Sequence, residues 1–384
     1  MDLTKFVGSL YANASCKETN KVLGPASVYS ALLLVLAGAD GETRAELLNA
    51  MGIHSDAGND AIHAKAFDLF LKDFNKNEAD GPELVSANRV YVQKDFAINQ
   101  TYLNHLKTKY QVEASNVDFG GNAKAVANQA NAFVEETTRG KITEIVQPEN
   151  LNALTVLLLI NAMYFKGLWN EMFEERFTED EEFHRIGSSA VKVPFMKDTS
   201  ERKIGFQRFA DFQVLYLPFK NTGIKMAIVL PDEKGGLIKM TENLFSGDYK
   251  DFQEILNHST DWAGHEYILH LPKFEISSTF DLNETLSKMG VKLAFLKGQA
   301  DLSRINANGA RNLFISKVLH KAYLKADEKG AEAAAVTACD VQIECAMISP
   351  PRIITVDHPF LVVIINEQKV PLFIGEVRDP SAKN

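Results

Sequence analysis

Glu328-Lys-Gly-Ala-Glu-Ala-Ala-Ala-Val-Thr-Ala-Cys-Asp-Val-Gln-Ile-Glu344 is the stretch whose reading decides the fold. It holds no proline from Gly330 to Met347 and stands between two segments that read as strands. A connection this long inside a domain is usually functional or disordered. Its residues sort with a period of two. Ala331, Ala333, Ala335, Thr337, Cys339 and Val341 are small or apolar, while the charges Glu332 and Asp340 fall in the alternate set. That segregation is what a half-buried strand requires. Alanine, however, favours helices over permanent strands. Composition alone leaves an Ala-rich surface helix equally open. The alternation points to a segment with two states, an exposed loop that becomes a strand.

Outward from this stretch the signals are mixed rather than strictly alternating. Pro25 opens and Gly38 closes an apolar segment, which predicts a buried helix over 25–37. A second helix is expected from Glu42 to Ala50, and a polar surface helix over 123–138. Leu154 to Phe165 is almost wholly apolar, as a central strand covered on both faces should be. Met226–Leu230, Tyr267–Leu271, Phe360–Ile365 and Pro371–Ile374 also read as strands. The mixture predicts one α+β domain with several sheets.

Composition excludes several functions. The net charge of −9 argues against general nucleic-acid binding, which wants a basic face, and leaves a local basic patch open. The most apolar run, Val28–Ala37, is too short to span a membrane. Three cysteines, Cys16, Cys339 and Cys345, make neither a disulfide framework nor a metal site. The first residues, Met1 to Phe6, do not read as a signal peptide. Asn13, Asn99, Asn257 and Asn283 head glycosylation sequons. There is no Gly-x-Ser-x-Gly elbow, His-Glu-x-x-His pair or phosphate-binding glycine loop, so no enzyme is expected.

Several motifs in order resemble the serpin family, and the resemblance covers nearly the whole chain. Glu328-Lys-Gly-Ala-Glu-Ala-Ala-Ala-Val-Thr337 is similar to the serpin hinge, and Ile315–Ala322 to the strand that feeds it. Asn161-Ala-Met-Tyr-Phe-Lys-Gly-Leu-Trp169 and Gly38-Ala-Asp-Gly-Glu-Thr43 resemble two further family motifs. So do Leu271-Pro-Lys-Phe274, Ala300-Asp-Leu-Ser303, Asp357-His-Pro-Phe-Leu361 and Phe373-Ile-Gly375.

The resemblance implies a single domain over 1–384. It would have three β-sheets, eight or nine helices and an exposed reactive-centre loop at about 328–356. It implies a monomeric suicide inhibitor of a serine protease, with a cysteine protease as a second class of target and no cofactor. Cleavage would form an acyl-enzyme, and the freed loop would insert into the main sheet. The hinge residues would be Glu328, Gly330, Ala331, Glu332, Ala333, Ala334, Ala335 and Thr337. Ala331 stands where threonine is usual. Counting Glu328 as the first residue, the scissile bond follows the seventeenth, which is Glu344–Cys345. Ile343-Glu-Cys-Ala-Met347 also resembles a granzyme-B-inhibiting branch. An acidic residue there suits a glutamyl- or aspartyl-specific protease. A shifted register would instead offer Met347 to an elastase- or chymotrypsin-like enzyme, or Arg352 to a trypsin-like one.

The resemblance further assigns Ser27, Asn161 and His320 to a polar shutter beneath the main sheet. Gly24, where serine is usual, leaves that cluster one hydroxyl short. Phe133, where tryptophan is common, reads as packing. Lys65, Lys72 and Lys76 suggest a glycosaminoglycan site such as heparin uses, although Asp68, Asp73, Glu78 and Asp80 lie among them. Family habit and the sequons favour an extracellular protein, with a cytoplasmic one as the alternative. Rival readings are a non-inhibitory serpin acting as chaperone or carrier, and a structural or storage protein.

Overall fold

The computed structural model describes residues 3–53, 58–75, 82–258, 266–329 and 352–382. In chain order the elements begin with α1 (Leu3–Asn13), β1 (Lys21–Leu23), α2 (Pro25–Gly38), α3 (Gly41–Ala50), α4 (Asn59–Leu69), β2 (Glu83–Gln93), α5 (Gln100–His105) and β3 (Glu113–Val117). Next come α6 (Ala123–Thr137), β4 (Leu157–Lys166), β5 (Glu179–Phe183), β6 (Val191–Lys197), β7 (Arg202–Lys203), β8 (Gly205–Arg208), β9 (Phe212–Pro218) and β10 (Lys225–Pro231). The remainder is α7 (Leu237–Leu244), α8 (Lys250–Asn257), β11 (Glu266–Pro272), β12 (Phe274–Asp281), α9 (Asn283–Lys288), β13 (Lys317–Ala326), β14 (Arg352–Thr355), β15 (Phe360–Ile365) and β16 (Pro371–Val377). Among the described residues this makes nine α-helices and three sheets, an α+β fold as expected.

The sheets run β1-β16-β15-β10-β9-β8, then β14-β11-β6-β5 with β7 also on β11, and β12-β13-β4-β2-β3. Helix α2 is buried along its whole length and packs on both β16 and β4. Its apolar side chains therefore serve two sheets at once, which is why no polar face is written into it. The opposite face of the sheet is covered by α6, which packs on β2 and whose Val126, Ala127, Ala130 and Val134 share one buried cluster with Leu158, Ile160 and Tyr164 of β4. A strand covered this way has no solvent side, so the apolar run of β4 does not alternate.

The strand begins later than the sequence suggests. Leu154 is 77% exposed, and β4 starts at Leu157. Asn152 accepts from the Leu154 amide through Oδ1, and its carbonyl accepts from the Thr155 amide. That turn overrides the apolar pattern.

Two sequence motifs prove to be halves of one clasp. The Asp40 amide donates to the Asp301 carbonyl at 3.0 Å, and the Asp301 amide donates to Thr43 Oγ1 at 2.9 Å. Gly38 belongs there for space, since a Cβ would meet Ile305 Cγ1 at 2.2 Å. Asn283, one of the sequon asparagines, brackets α9 to β13. Its Nδ2 donates to the Ser316 carbonyl, and its Oδ1 accepts from the Val318 amide.

Candidate functional site

The site is a seam within the five-stranded sheet. Strands β4 and β13 pair directly and run parallel, from Lys317 opposite Leu158 to Leu324 opposite Phe165. Parallel ladders are slightly weaker per residue than antiparallel ones. At the seam's upper end the chain leaves β13 and enters the stretch that opened the sequence reading.

Beneath the seam lies a buried polar cluster, and the three predicted shutter residues meet in it. His320 on β13 is fully buried and is the register partner of Asn161 on β4. The Gly24 amide donates to His320 Nε2 at 3.0 Å, so Nδ1 carries the proton and donates to Asn161 Oδ1 at 2.5 Å. Burial drives the imidazole pKa down to about 3, which keeps the ring neutral. Asn161 Nδ2 donates to Asn88 Oδ1 at 2.7 Å and to the Ser27 carbonyl at 3.1 Å. Ser27 Oγ lies 2.7 Å from Ser86 Oγ.

Ser86, Asn88 and Ser30 complete this cluster and were not anticipated. Asn88 Nδ2 donates to both Ser30 Oγ and Ser86 Oγ at 3.1 Å. Polar residues inside the otherwise apolar runs of α2 and β2 were the available signal. Gly24, read as a missing hydroxyl, contributes through its backbone. A Cβ there would come within 2.5 Å of Met163 Sδ.

Above the seam sits a second device. Glu328 is 5% exposed and accepts from Thr178 Oγ1 at 2.7 Å and from Lys273 Nζ at 2.7 and 2.9 Å. Burial alone would raise its carboxyl, but these donors outweigh burial and hold it below the ordinary carboxylate range. The backbone is held as well. Phe173 N donates to the Glu328 carbonyl, Trp169 N to that of Lys329, and Trp169 Nε1 to that of Asp327. Lys273 and Thr178 were missed as partners, although Lys273 lies in the quoted motif Leu271-Pro-Lys-Phe274.

Of the remaining predicted residues, Arg352 opens β14 and faces Tyr267 of β11 in a parallel pair. Phe133 is half-buried, with the Arg89 guanidinium 4.4 Å over its ring. Lys65 is exposed on α4, and Lys72 lies in the turn that follows. Gly330, Ala331, Glu332, Ala333, Ala334, Ala335 and Thr337, the bond Glu344–Cys345, Met347 and Lys76 lie outside the described residues.

Residues 1–380 match the family model described as Serpin (serine protease inhibitor). The chain belongs to the serpin family. It is 36% identical to Serpin-ZXA of Oryza sativa subsp. japonica over 94% of its own length and 90% of that protein's. The structure of Serpin48, described as a highly specific serpin of the insect Tenebrio molitor, matches with a TM-score of 0.83. Identity there is 30%, over 98% of this chain and 96% of that one. Human thyroxine-binding globulin, solved with thyroxine, matches at a TM-score of 0.82 and 26% identity, over 99% and 98% of the two chains. The family described by its protease inhibitors thus shares its fold with a thyroxine-binding protein.

Proposed function

We propose that this serpin is a suicide inhibitor that traps a serine protease by inserting its cleaved loop between β4 and β13. The observation that carries the reading is the direct pairing of those two strands, with the chain leaving β13 at the seam's upper end. A strand folding back from there runs antiparallel to both neighbours. One parallel ladder would give way to two antiparallel ones. With about 0.5–1.5 kcal/mol net per hydrogen bond, fifteen inserted residues gain on the order of 10–20 kcal/mol. That rivals the whole stability of a typical domain, about 5–15 kcal/mol. The alternate small residues Ala331, Ala333, Ala335 and Thr337 suit the covered face of such a strand. This argues against a non-inhibitory chaperone or carrier whose loop cannot insert.

Length supports the bond Glu344–Cys345. Residues 330–344 span about 50 Å as a strand, against about 33 Å for the ten residues of β13. A protease attached at Glu344 would therefore be carried past the lower end of the sheet. The same count to Met347 gives about 60 Å, and to Arg352 about 76 Å. Arg352 is also already paired within β14, whereas a protease needs an unpaired extended segment. An acidic residue at the bond favours a glutamyl- or aspartyl-specific protease with a basic primary pocket.

The test is to mix the protein with a glutamyl-specific serine protease and combine denaturing gels with mass spectrometry. The expected result is a stable covalent adduct and a released peptide that begins at Cys345. Cleavage there without an adduct would make the protein a substrate of that enzyme. An adduct formed instead with an elastase-like or trypsin-like enzyme would move the bond to Met347 or Arg352.

A further inference from the structure

This acidic chain gathers five lysines around one cleft. Lys141, Lys192, Lys273, Lys321 and Lys325 border a space of about 740 Å³, closed on one side by Pro380–Ala382. Glu275 is the one carboxylate in the described wall, and it is engaged with the Tyr323 hydroxyl. Lys273 and Lys325 are paired, with Glu328 and Asp327. Among the described residues, Lys141, Lys192 and Lys321 have no salt-bridge carboxylate. Lys321 Nζ donates only to the Glu144 carbonyl, at 2.8 Å. Lysines without a carboxylate in direct contact keep ammonium donors free for an anion that enters the concavity.

The cleft lies beside the upper half of β13, one of the two strands of the seam, and is walled by β12 and β6 as well. Lys321, Tyr323 and Lys325 are alternate residues on the outer face of β13, and Tyr323 is the register partner of Tyr164 on β4. Lys166, at the end of β4, shares an adjoining niche with Lys141 and Lys325. An anion here would thus face the lysines of β13 directly and, where it extends into the adjoining niche, Lys166 of β4.

We propose that this cleft binds a compact multivalent phosphate and that the bound anion holds the mouth of the β4–β13 seam closed. Lysine ammoniums act as point charges and suit phosphate without the planar fork that arginine brings. The volume falls within the range of small-molecule sites, about 300–1,000 Å³. Glu18, Glu144 and Glu275 stand around the lysines, so a compact ligand fits better than a long polyanion. A ligand that bridges Lys325 of β13 and, through the adjoining niche, Lys166 of β4 favours the closed sheet only through its tighter grip on that state. The closing effect rests on the insertion reading above, whereas the binding does not.

Calorimetric titration of the full chain with inositol hexakisphosphate, tripolyphosphate and a sulfated tetrasaccharide tests the binding. One saturable site is expected for a phosphate probe, weakening as salt rises. The tighter of the two phosphate probes shows whether the source is a phosphorylated ring or a linear chain. Lys141→Ala/Lys192→Ala, with an unchanged urea midpoint as a check on its fold, should bind at least about tenfold more weakly. Lys321→Gln, which alters the cleft from β13, should weaken binding independently. Binding by neither phosphate, binding only by the tetrasaccharide, or binding indifferent to these substitutions would overturn the site. Saturating phosphate should also slow heat-induced seam opening, read as oligomer formation on native gels. An unchanged rate in the presence of proven binding would overturn the closing effect.

Discussion

Asn161 and His320 are register partners across the parallel β4–β13 ladder, and their side chains are also joined, His320 Nδ1 to Asn161 Oδ1 at 2.5 Å. The side-chain bond therefore lies across the line of insertion that we propose. A strand cannot enter without breaking it. Asn161 is also tied to Asn88 on β2 and to Ser27 on α2, so the break is felt by four elements. On the proposed mechanism the cluster would work as a fastener rather than as a source of net stability, because its polar groups had to leave water to form it.

Asn161→Ala should unfasten the seam. It would leave the buried His320 Nδ1–H and the half-buried Asn88 Oδ1 with their present partner gone. Each such orphan costs about 1–3 kcal/mol. The expected result is a lower urea midpoint and faster oligomer formation on gentle heating. Ser27→Ala, which leaves the His320–Asn161 bond in place, should do less. Equal behaviour of the two variants would count against the seam bond as the critical tie.

Acid should loosen the same fastener. Burial holds the His320 pKa at about 3, well below the ordinary value near 6.5. Its contribution is therefore complete above about pH 6.5 and is lost as pH falls from there towards 3. Where this group dominates, stability should fall by up to about 1.4 kcal/mol per pH unit. Urea midpoints measured between pH 7 and 5 for the wild type and His320→Gln separate this group from the carboxylates. The variant should start lower and vary less over that window. Parallel curves would remove His320 from the account.

How much of this could be read beforehand differs between the sheet and its fastenings. Helix α2 was legible because Pro25 and Gly38 mark its ends and one buried environment sets its composition. Most strands were legible for the same reason, and the start of β4 failed where Asn152 folds the chain into a local turn. The shutter trio came through family resemblance, yet Ser86, Asn88 and Ser30 join it from separate segments that no local period connects. The partnership of Glu328 with Lys273 and Thr178 spans 55 and 150 residues of chain. Such pairings are set by the folded topology, so pattern reading finds the residues but not the bond.

The Glu328 pair sets a second test. Glu328→Gln keeps the shape but removes the charge that Lys273 meets, costing about 1.5–3 kcal/mol at most. Glu328→Lys brings two ammonium groups together at the top of the seam and should open it far more readily. Native gels after mild heating should rank oligomer formation as Lys, then Gln, then wild type. The carboxyl lies below its ordinary value, so its contribution is present above about pH 4.3 and fades as pH falls further. That window lies below the one in which His320 begins to act.

Ala333→Pro separates the trap from mere cleavage. Position 333 falls in the set of small residues that an inserted strand would turn inward. Proline there cannot donate to the ladder and would interrupt pairing near the start of insertion. The described seam ladder runs from Lys317 to Leu324 on β13 and from Leu158 to Phe165 on β4. Folding and the unfolding midpoint of the uncleaved protein should therefore stay as in the wild type. Cleavage at Glu344–Cys345 should also proceed, since the bond lies eleven residues further on. What should vanish is the outcome of cleavage. The covalent adduct should give way to free protease and cut protein, and cleavage should no longer raise the melting temperature. A variant that still formed adduct in full yield would mean that the protease is held by something other than strand insertion.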